Sequence, residues 1–211
     1  MIKRGMQHWN GCMVVAISLD ITTADPAHCD IITVAMVILD TNLEPLRGVQ
    51  PFNITMVPEN LEFTATDKIT AKKKDLLRAI ETGFGQETAA SLFYDWVVRL
   101  GLPMTKYGKE RCKLIPLAHD YRRFQQPLRN WLTPEVYDEV FSDKIRDTLV
   151  VAQYLNDRAA MHGHKVPYSR TSLGYLGAHY HVRERPGDEA IGACVSTAQL
   201  YRAMTREGVV I

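Results

Sequence analysis

The stretch MVVAISLDITTADPAHCDIITVAMVILD, residues 13 to 40, decides the fold. Its two ends, at 13 to 20 and 30 to 40, are apolar runs rich in β-branched residues, and a polar, proline-containing loop separates them. This pattern predicts two strands joined by a loop. The segment from 45 to 57 offers a third strand, although Pro51 places part of it at a sheet edge or in a bend. Three strands this close in sequence favour an antiparallel meander.

Strand and helix patterns are mixed in the rest of the chain. RCKLIPLA at 111 to 118 predicts a fourth strand, and the β-branched beginning of 145 to 160 predicts a fifth strand that leads into a helix. We expect Gly101 to end one helix, and Thr133 and Thr171 to cap the starts of two others. Further helices are predicted at about 76–84, 87–102, 121–132, 134–141, 171–180 and 190–206. Strands first and mixed elements later predict an α/β fold, with a mixed five-stranded sheet flanked by helices.

Length and composition fit one globular domain. With 211 residues, 46% of them hydrophobic and 23% charged, we expect a single domain over residues 1 to 211 with its core at about 13 to 206. The net charge of +1 hides an uneven distribution: residues 105 to 185 carry 14 basic and 9 acidic groups, whereas residues 1 to 104 carry 9 and 12. The middle third is therefore a mild basic field of the kind that a phosphate backbone favours. A solvated mixed surface explains the same counts.

The cysteines and the N-terminus indicate the compartment. The four cysteines are scattered without a CxxC pair, which argues against a structural zinc site or a disulfide framework. We expect reduced, mostly buried thiols. No apolar run approaches the roughly 20 residues that a membrane span needs, and the N-terminus lacks a secretory core. These features predict a cytoplasmic protein without a membrane partner.

Three motifs occur in order along the chain. They are SLDITTADP at 18 to 26, HDYRRFQQPL at 119 to 128 and GACVSTAQLYRAM at 192 to 204. In this order and spacing the chain resembles the DEDD superfamily of 3′-to-5′ exonucleases, and more narrowly the small phage-encoded exonucleases of its DEDDh branch. The resemblance implies a ribonuclease H-like fold. It also implies a site where four carboxylates hold two divalent metal ions and a histidine activates water.

The first two motifs retain one of the acids that the resemblance implies. In the family's Asp-x-Glu-Thr pattern, Asp20 fits the first acid and Thr22 stands at the glutamate position. If any metal binds, Asp20 is its expected ligand. In the second motif Phe124, which cannot bind a metal, stands at the aspartate position. Asp120, four residues earlier, is either a displaced ligand or, by the stronger interpretation, a cap for the following helix.

The third motif is altered at both functional positions. The family pattern His-x-x-x-x-Asp places Asp188 at the histidine position and Ala193 at the aspartate position. His179 and His181 lie nearby and could replace the base, but histidines in a loop of this composition are more often surface residues.

Other charged residues surround the motifs. Asp147 matches a family position that supports the site, and it could also cap the helix that follows it. Arg122, Arg123 and Arg129 form a basic cluster where the family has mixed residues. Such clusters are commonly solvated faces. Beside a cleft without its acids, however, they would attract anions, so we predict that these arginines bind nucleic acid.

The pattern of substitution leads to three functional hypotheses. Because the scaffold is intact and the acids are lost, we favour a non-catalytic exonuclease-like protein, without a cofactor, that binds single-stranded nucleic acid or a protein partner. The first alternative is an active exonuclease that uses Mg²⁺ or Mn²⁺ with displaced ligands. The second is a phage-type inhibitor of a host nuclease or defence complex. The choice between DNA and RNA stays open, and so does the oligomeric state. Many proteins of the family that this chain resembles are homodimers.

Overall fold

The computed structural model describes residues 12–23, 25, 28–59, 73–102, 112–182 and 189–207. The strands are β1 (Met13–Ile21), β2 (Ile31–Ile38), β3 (Phe52–Thr55), β4 (Leu114–Ala118) and β5 (Arg146–Asp147). The helices in the described part of the chain are α1 (Lys73–Thr82), α2 (Gln86–Leu100), α3 (Arg122–Leu132), α4 (Pro134–Val140), α5 (Thr148–Met161), α6 (Leu173–His179) and α7 (Glu189–Glu207).

The strands form one mixed sheet in the order β3-β2-β1-β4-β5. β1 pairs antiparallel with β2, and β2 pairs antiparallel with β3, which confirms the predicted meander. β4 is parallel to β1, and β5 is parallel to β4. The α/β class and the mixed five-stranded sheet are therefore confirmed. Because β1, β4 and β5 run in one direction, their carboxyl ends meet at the same edge of the sheet.

Both faces of the sheet are covered by helices. One face, here called the α2 face, carries Val15 and Ile17 of β1 in a core that also contains Phe93 of α2. The opposite face, here called the α7 face, carries Val14 and Ala16 against Cys194 and Ala198 of α7. Side chains alternate along a strand, so each residue of β1 belongs to one of these faces. Burial on both sides explains why β1 reads as a continuous apolar run.

The helix ends agree only in part with the predictions. Gly101 ends α2 in the left-handed conformation (φ 57°), as predicted. α3 runs through Pro127. Thr133 occupies the cap position before α4, but its side chain makes no capping hydrogen bond. The prediction that Thr171 caps the next helix is wrong, because Ser172 is the residue directly before α6. Two adjacent hydroxyl residues offer the same capping chemistry, so the sequence pattern could not choose between them.

Two findings bear on the predicted compartment. The four cysteines form no disulfide, and three of them are buried, which confirms the expected state of the thiols. None of the helices in the described ranges has the length and apolarity that crossing a bilayer requires. The cytoplasmic location itself stays a prediction.

Candidate functional site

A cleft of about 540 Å³ opens at the carboxyl edge of the sheet. Its walls come from the end of β1, the turn after β4, and the first turns of α3, α5 and α6. α7 closes it from the other side through Ala193 and Thr197. The cleft thus lies where the parallel strands end, a place at which α/β folds commonly bind ligands. It brings together Asp120, Arg123, Phe124 and Ala193, four of the residues that the sequence singled out.

The floor of this cleft is apolar. Leu19 and Ile21 of β1 and Phe124 of α3 line it and also pack against the core of the α2 face. Ala193 adds a methyl group from α7. These four side chains, here called the floor, offer no oxygen, nitrogen or sulfur atom to a ligand. They can therefore contact an apolar or aromatic surface, but they cannot bind a hard cation. The hydroxyl-bearing side chains of Ser18 and Thr197 also line the cleft.

The rim of the cleft is polar. Asp120 lies at the turn before α3 in the left-handed conformation (φ 58°). Its carboxylate is 3.9 Å from Nε of Arg123 on the first turn of the helix, and both side chains are partly exposed. Thr171 and Ser172 complete the rim from the segment before α6. The one carboxylate among the described lining residues is thus neighboured by a cation.

His119 is held in one orientation by a buried hydroxyl. Its Nδ1 lies 2.8 Å from Oγ1 of Thr148. Thr148 is fully buried, and its hydroxyl also lies 3.5 Å from the carbonyl oxygen of Ala118. Burial lowers the pKa of His119, an effect only partly offset by the negative charges of Asp147 and Asp120. The lowered pKa favours the neutral imidazole at neutral pH.

Asp147 fixes the turn on which His119 and Asp120 lie. One carboxylate oxygen accepts the backbone N–H groups of Asp120 (3.0 Å) and Leu149 (2.8 Å), and the other accepts the N–H of Tyr121 (2.8 Å). The bond from Leu149 confirms that Asp147 caps α5. The other two bonds join the end of β5 to the start of α3. The supporting position of Asp147 is thus a structural one in this chain, and its carboxylate is not among the described groups that line the cleft.

The prediction that Asp120 caps α3 is wrong. Tyr121 occupies the cap position, and no side chain bonds to the first turn there. The N–H of Asp120 donates to Asp147, and the carbonyl oxygen of Asp120 accepts the N–H of Arg123 at 3.0 Å. The left-handed turn at Asp120 directs its carboxylate to the cleft, whereas a helix cap has extended backbone angles.

The first motif is placed differently from the other two. Asp20 pairs with Thr33 of β2, and alternation along β1 directs its side chain to the α7 face, opposite to Leu19 and Ile21. Asp20 is not among the described residues that line the cleft. Thr22 is buried, and its Oγ1 accepts the N–H of Asp30 at 3.0 Å, so it closes the loop between β1 and β2. The assignment of Asp20 as a metal ligand stays a prediction.

The three predicted arginines have different surroundings. Arg123 lines the cleft, and Arg122 is exposed beside it. Arg129 lies away from it, where it donates to Oδ2 of Asp138 at 2.8 Å and places its guanidinium 5.2 Å from the ring centre of Tyr137. Arg129 therefore joins α3 to α4. Of these three arginines, Arg123 is the one that lines the cleft.

Neither histidine considered as a replacement base lies at the cleft. The ring of His179 packs edge-on against Tyr168, with 5.3 Å between the ring centres. His181 follows α6 in a left-handed turn (φ 53°) and is exposed. Asp188 falls outside the described residues.

The described side chains do not fit a pair of metal ions. Within the described ranges, no group of three or more His, Cys, Asp or Glu side chains could hold a metal. The cleft offers the carboxylate of Asp120 and the imidazole of His119, and the carboxylate of Asp147 already accepts three N–H groups. Two Mg²⁺ ions need several more oxygen ligands than this set supplies.

Sequence reasoning missed several of the residues that form the cleft, and three of them matter for its chemistry. Leu19, Ile21 and His119 line it, but none of them was singled out from the sequence. One signal was available for the first two. If Asp-x-Glu-Thr is shifted by one residue, Thr22 matches the threonine of the pattern, and Leu19 and Ile21 fall at its two acids.

Comparison with known proteins identifies the fold. No family model and no curated protein sequence matches the chain. Among solved structures, cell-death related nuclease 4 (CRN-4) is 17% identical with a TM-score of 0.64, over 96% of this chain and 66% of that one. Exonuclease I from Methylocaldum szegediense is 14% identical (TM-score 0.65; 93% and 40% covered). The nuclease domain of 3'hExo, described as a DEDDh family member bound to rAMP, is also 14% identical (TM-score 0.60; 95% and 94% covered).

These similarities confirm the ribonuclease H-like exonuclease fold predicted from the three motifs. At identities of 14 to 17% they show the fold and not the activity. The chain spans 66% of the length of the first of these structures and 40% of the second.

Proposed function

We propose that this protein is a non-catalytic member of the exonuclease fold that binds single-stranded nucleic acid in the cleft. One observation carries the proposal. The cleft floor is built from Leu19, Ile21, Phe124 and Ala193, and the last two stand at acid positions of the second and third motifs. With the first motif shifted by one residue, Leu19 and Ile21 stand at the two remaining acids. On this alignment all four carboxylates are replaced by carbon side chains.

The same replacements favour a nucleobase as ligand. Bases stack on apolar and aromatic surfaces, and a cationic rim attracts the phosphates that connect them. The cleft combines such a floor with Arg123 on its rim and Arg122 beside it. The structure of 3'hExo, described as bound to rAMP, supports a nucleotide as ligand for this fold.

Binding and degradation can be measured on the same labelled strand. We expect short single-stranded RNA or DNA to bind in Mg²⁺, in Mn²⁺ and in EDTA, without shortening from its 3′ end. Arg123→Ala should weaken binding, whereas Arg129→Ala, which removes an equal charge away from the cleft, should not. If the wild-type protein binds neither strand, the proposal is wrong.

Restored acids test the alignment itself. We expect Leu19→Asp/Ile21→Glu/Phe124→Asp/Ala193→Asp to lose stability in EDTA, because four close carboxylates repel, and to regain it with Mn²⁺. A matched variant that keeps Asp20 and carries Thr22→Glu with the same changes at 124 and 193 should show no such rise in Tm. If Mn²⁺ raises the Tm of the variant that keeps Asp20 and not that of the Leu19/Ile21 variant, the original assignment of Asp20 is correct.

A second candidate function is an active exonuclease with displaced ligands. Asp120 and the neutral His119 do lie in the cleft, and this observation favours it. That candidate predicts shortening of a strand in Mg²⁺ or Mn²⁺, which Asp120→Asn abolishes while Asp143→Asn, an exposed control, does not. Three predictions from the sequence remain: inhibition of a host nuclease, binding of a protein partner, and a homodimer. A pull-down tests for a nuclease or another protein partner, and the molar mass in solution tests for the homodimer.

A further inference from the structure

A stretch without acidic residues covers the end of α5, the loop after it and α6. Residues 158 to 182 contain Arg158, Lys165, Arg170 and four of the seven histidines, but no Asp or Glu. The chain has 24 acidic residues among 211, so about three would be expected in a stretch of this length. Asp157 directly precedes it. The local field is therefore positive in a chain whose net charge is close to neutral.

Part of this stretch forms a groove of about 470 Å³, separate from the cleft. Arg158 and the exposed His162 and His164 line it, together with Pro167 and Tyr168. The rings of the two histidines lie 6.5 Å apart. The groove thus joins a cation to two exposed imidazole rings, and single-stranded nucleic acids contact such a combination through phosphates and bases.

The loop that forms the groove is fixed from below. The side-chain amide of Asn156 accepts the backbone N–H of Tyr168 (3.0 Å) and donates to its carbonyl oxygen (2.9 Å). The side chain of Tyr168 is buried, and its hydroxyl bonds to that of Tyr180. A surface held in this way needs little ordering when it binds a ligand.

The groove and the cleft lie close together along the chain. Tyr168 lines the groove and Thr171 lines the cleft, so the Cα atoms of these two residues are at most about 11 Å apart, the span of three extended residues. Arg170 is exposed between them, and Lys165 is exposed on the same loop. Arg170 therefore lies between the two concave surfaces along the chain, and Lys165 lies within the segment that forms the groove.

We propose that the groove is a second contact for the strand bound in the cleft, with Arg170 contacting a phosphate between the two and Lys165 contacting a phosphate at the groove. This inference rests on the proposed function. It adds a direction for the strand, from the rim at Thr171 and Ser172 across the loop to His162 and His164. It also predicts that a long strand binds more tightly than a dinucleotide that fills the cleft alone.

The test compares two strand lengths and two pairs of charges. Lys165→Ala/Arg170→Ala removes two exposed cations of the loop, and Arg78→Ala/Arg99→Ala removes two exposed cations from α1 and α2. Each phosphate contact on a single strand contributes about 0.7 to the slope of log K against log salt. The loop variant should therefore lower the slope for a long strand by about 1.4, which corresponds to about 25-fold weaker binding near 0.1 M salt. Dinucleotide binding, and the control variant with either ligand, should match the wild-type protein.

The outcomes separate this inference from the proposed function. If the wild-type protein binds both ligands and the loop variant binds the long strand equally well, the second contact does not exist and the cleft proposal stands. If the wild-type protein binds neither ligand, both proposals fail. Polyglutamate of matched charge provides the last comparison. Competition as strong as that of the nucleic acid would make the loop a surface for acidic proteins and overturn the inference.

Discussion

Asp147 is expected to hold the cleft in shape through three backbone hydrogen bonds. Asp147→Ala removes the acceptors for the N–H groups of Asp120, Tyr121 and Leu149. Loss of the α5 cap costs about 1 kcal/mol. The two partly buried N–H groups at the turn cost about 1 kcal/mol each when left without an acceptor. We therefore expect a loss of about 3 kcal/mol in the free energy of unfolding.

Asp147→Asn separates the two sides of this carboxylate. One amide oxygen can still accept from Asp120 and Leu149, but the amide NH₂ then faces the N–H of Tyr121, and two donors oppose each other. The expected loss is about 1 to 2 kcal/mol. Urea unfolding measures both values, and hydrogen exchange at the amide of Tyr121 should accelerate in both variants. Asp157→Ala, an exposed change on the same helix, should stay within about 0.5 kcal/mol of the wild-type protein.

Two results would refute this account of Asp147. One is an alanine variant as stable as the wild-type protein, which would show that water satisfies the three N–H groups. The other is an asparagine variant less stable than the alanine variant. That order would show that the two opposed donors cost more than the retained acceptor contributes, contrary to the values expected above.

Three further predictions concern pH, a cation and a glycine. Because the pKa of His119 is lowered in the folded protein, the unfolded chain takes up this proton first as pH falls through about 6.5, and acid therefore lowers the free energy of unfolding. Between neutral pH and about pH 5, the urea midpoint of His119→Gln should fall less than that of the wild-type protein. Arg129→Ala should lower the free energy of unfolding by about 1 kcal/mol, through its lost ion pair and its lost contact with Tyr137, and leave binding of the labelled strand unchanged. Gly83→Ala should lower Tm, because the new Cβ would lie 2.4 Å from a backbone oxygen, whereas Gly85→Ala meets nothing within 4 Å and should not.

The sheet was predictable because its signals are local. The apolar runs of β1 and β2 and the proline before β3 carry their own periodicity and turn chemistry, and all three strands appear in the predicted order. α2 likewise ends at Gly101, because a left-handed terminus favours glycine. Such features depend on a few neighbouring residues, which the sequence displays directly.

The assignment of the site was harder because it depends on which side of a strand faces the cleft. Asp20 is an acid at the end of β1, so sequence reasoning chose it, yet a shift of one residue along a strand exchanges the two faces. Leu19 and Ile21 pack with Phe124 against the α2 face, and the proposed shift of the first motif by one residue rests on that packing. Contacts of this kind join parts of the chain about 100 residues apart, and no local pattern contains them.

The sequence alone therefore showed which residue types are present, but not which groups their side chains contact. The ordered motifs predicted the exonuclease fold, and the sequence shows Phe124 and Ala193 at two positions where the resemblance implies acids. Only the folded chain shows that Asp147 binds three backbone N–H groups, that Asp120 faces Arg123, and that the cleft has an apolar floor. The physical reason is that a carboxylate acts as ligand, cap or ion-pair partner according to the groups within about 4 Å of it, and tertiary packing brings those groups there.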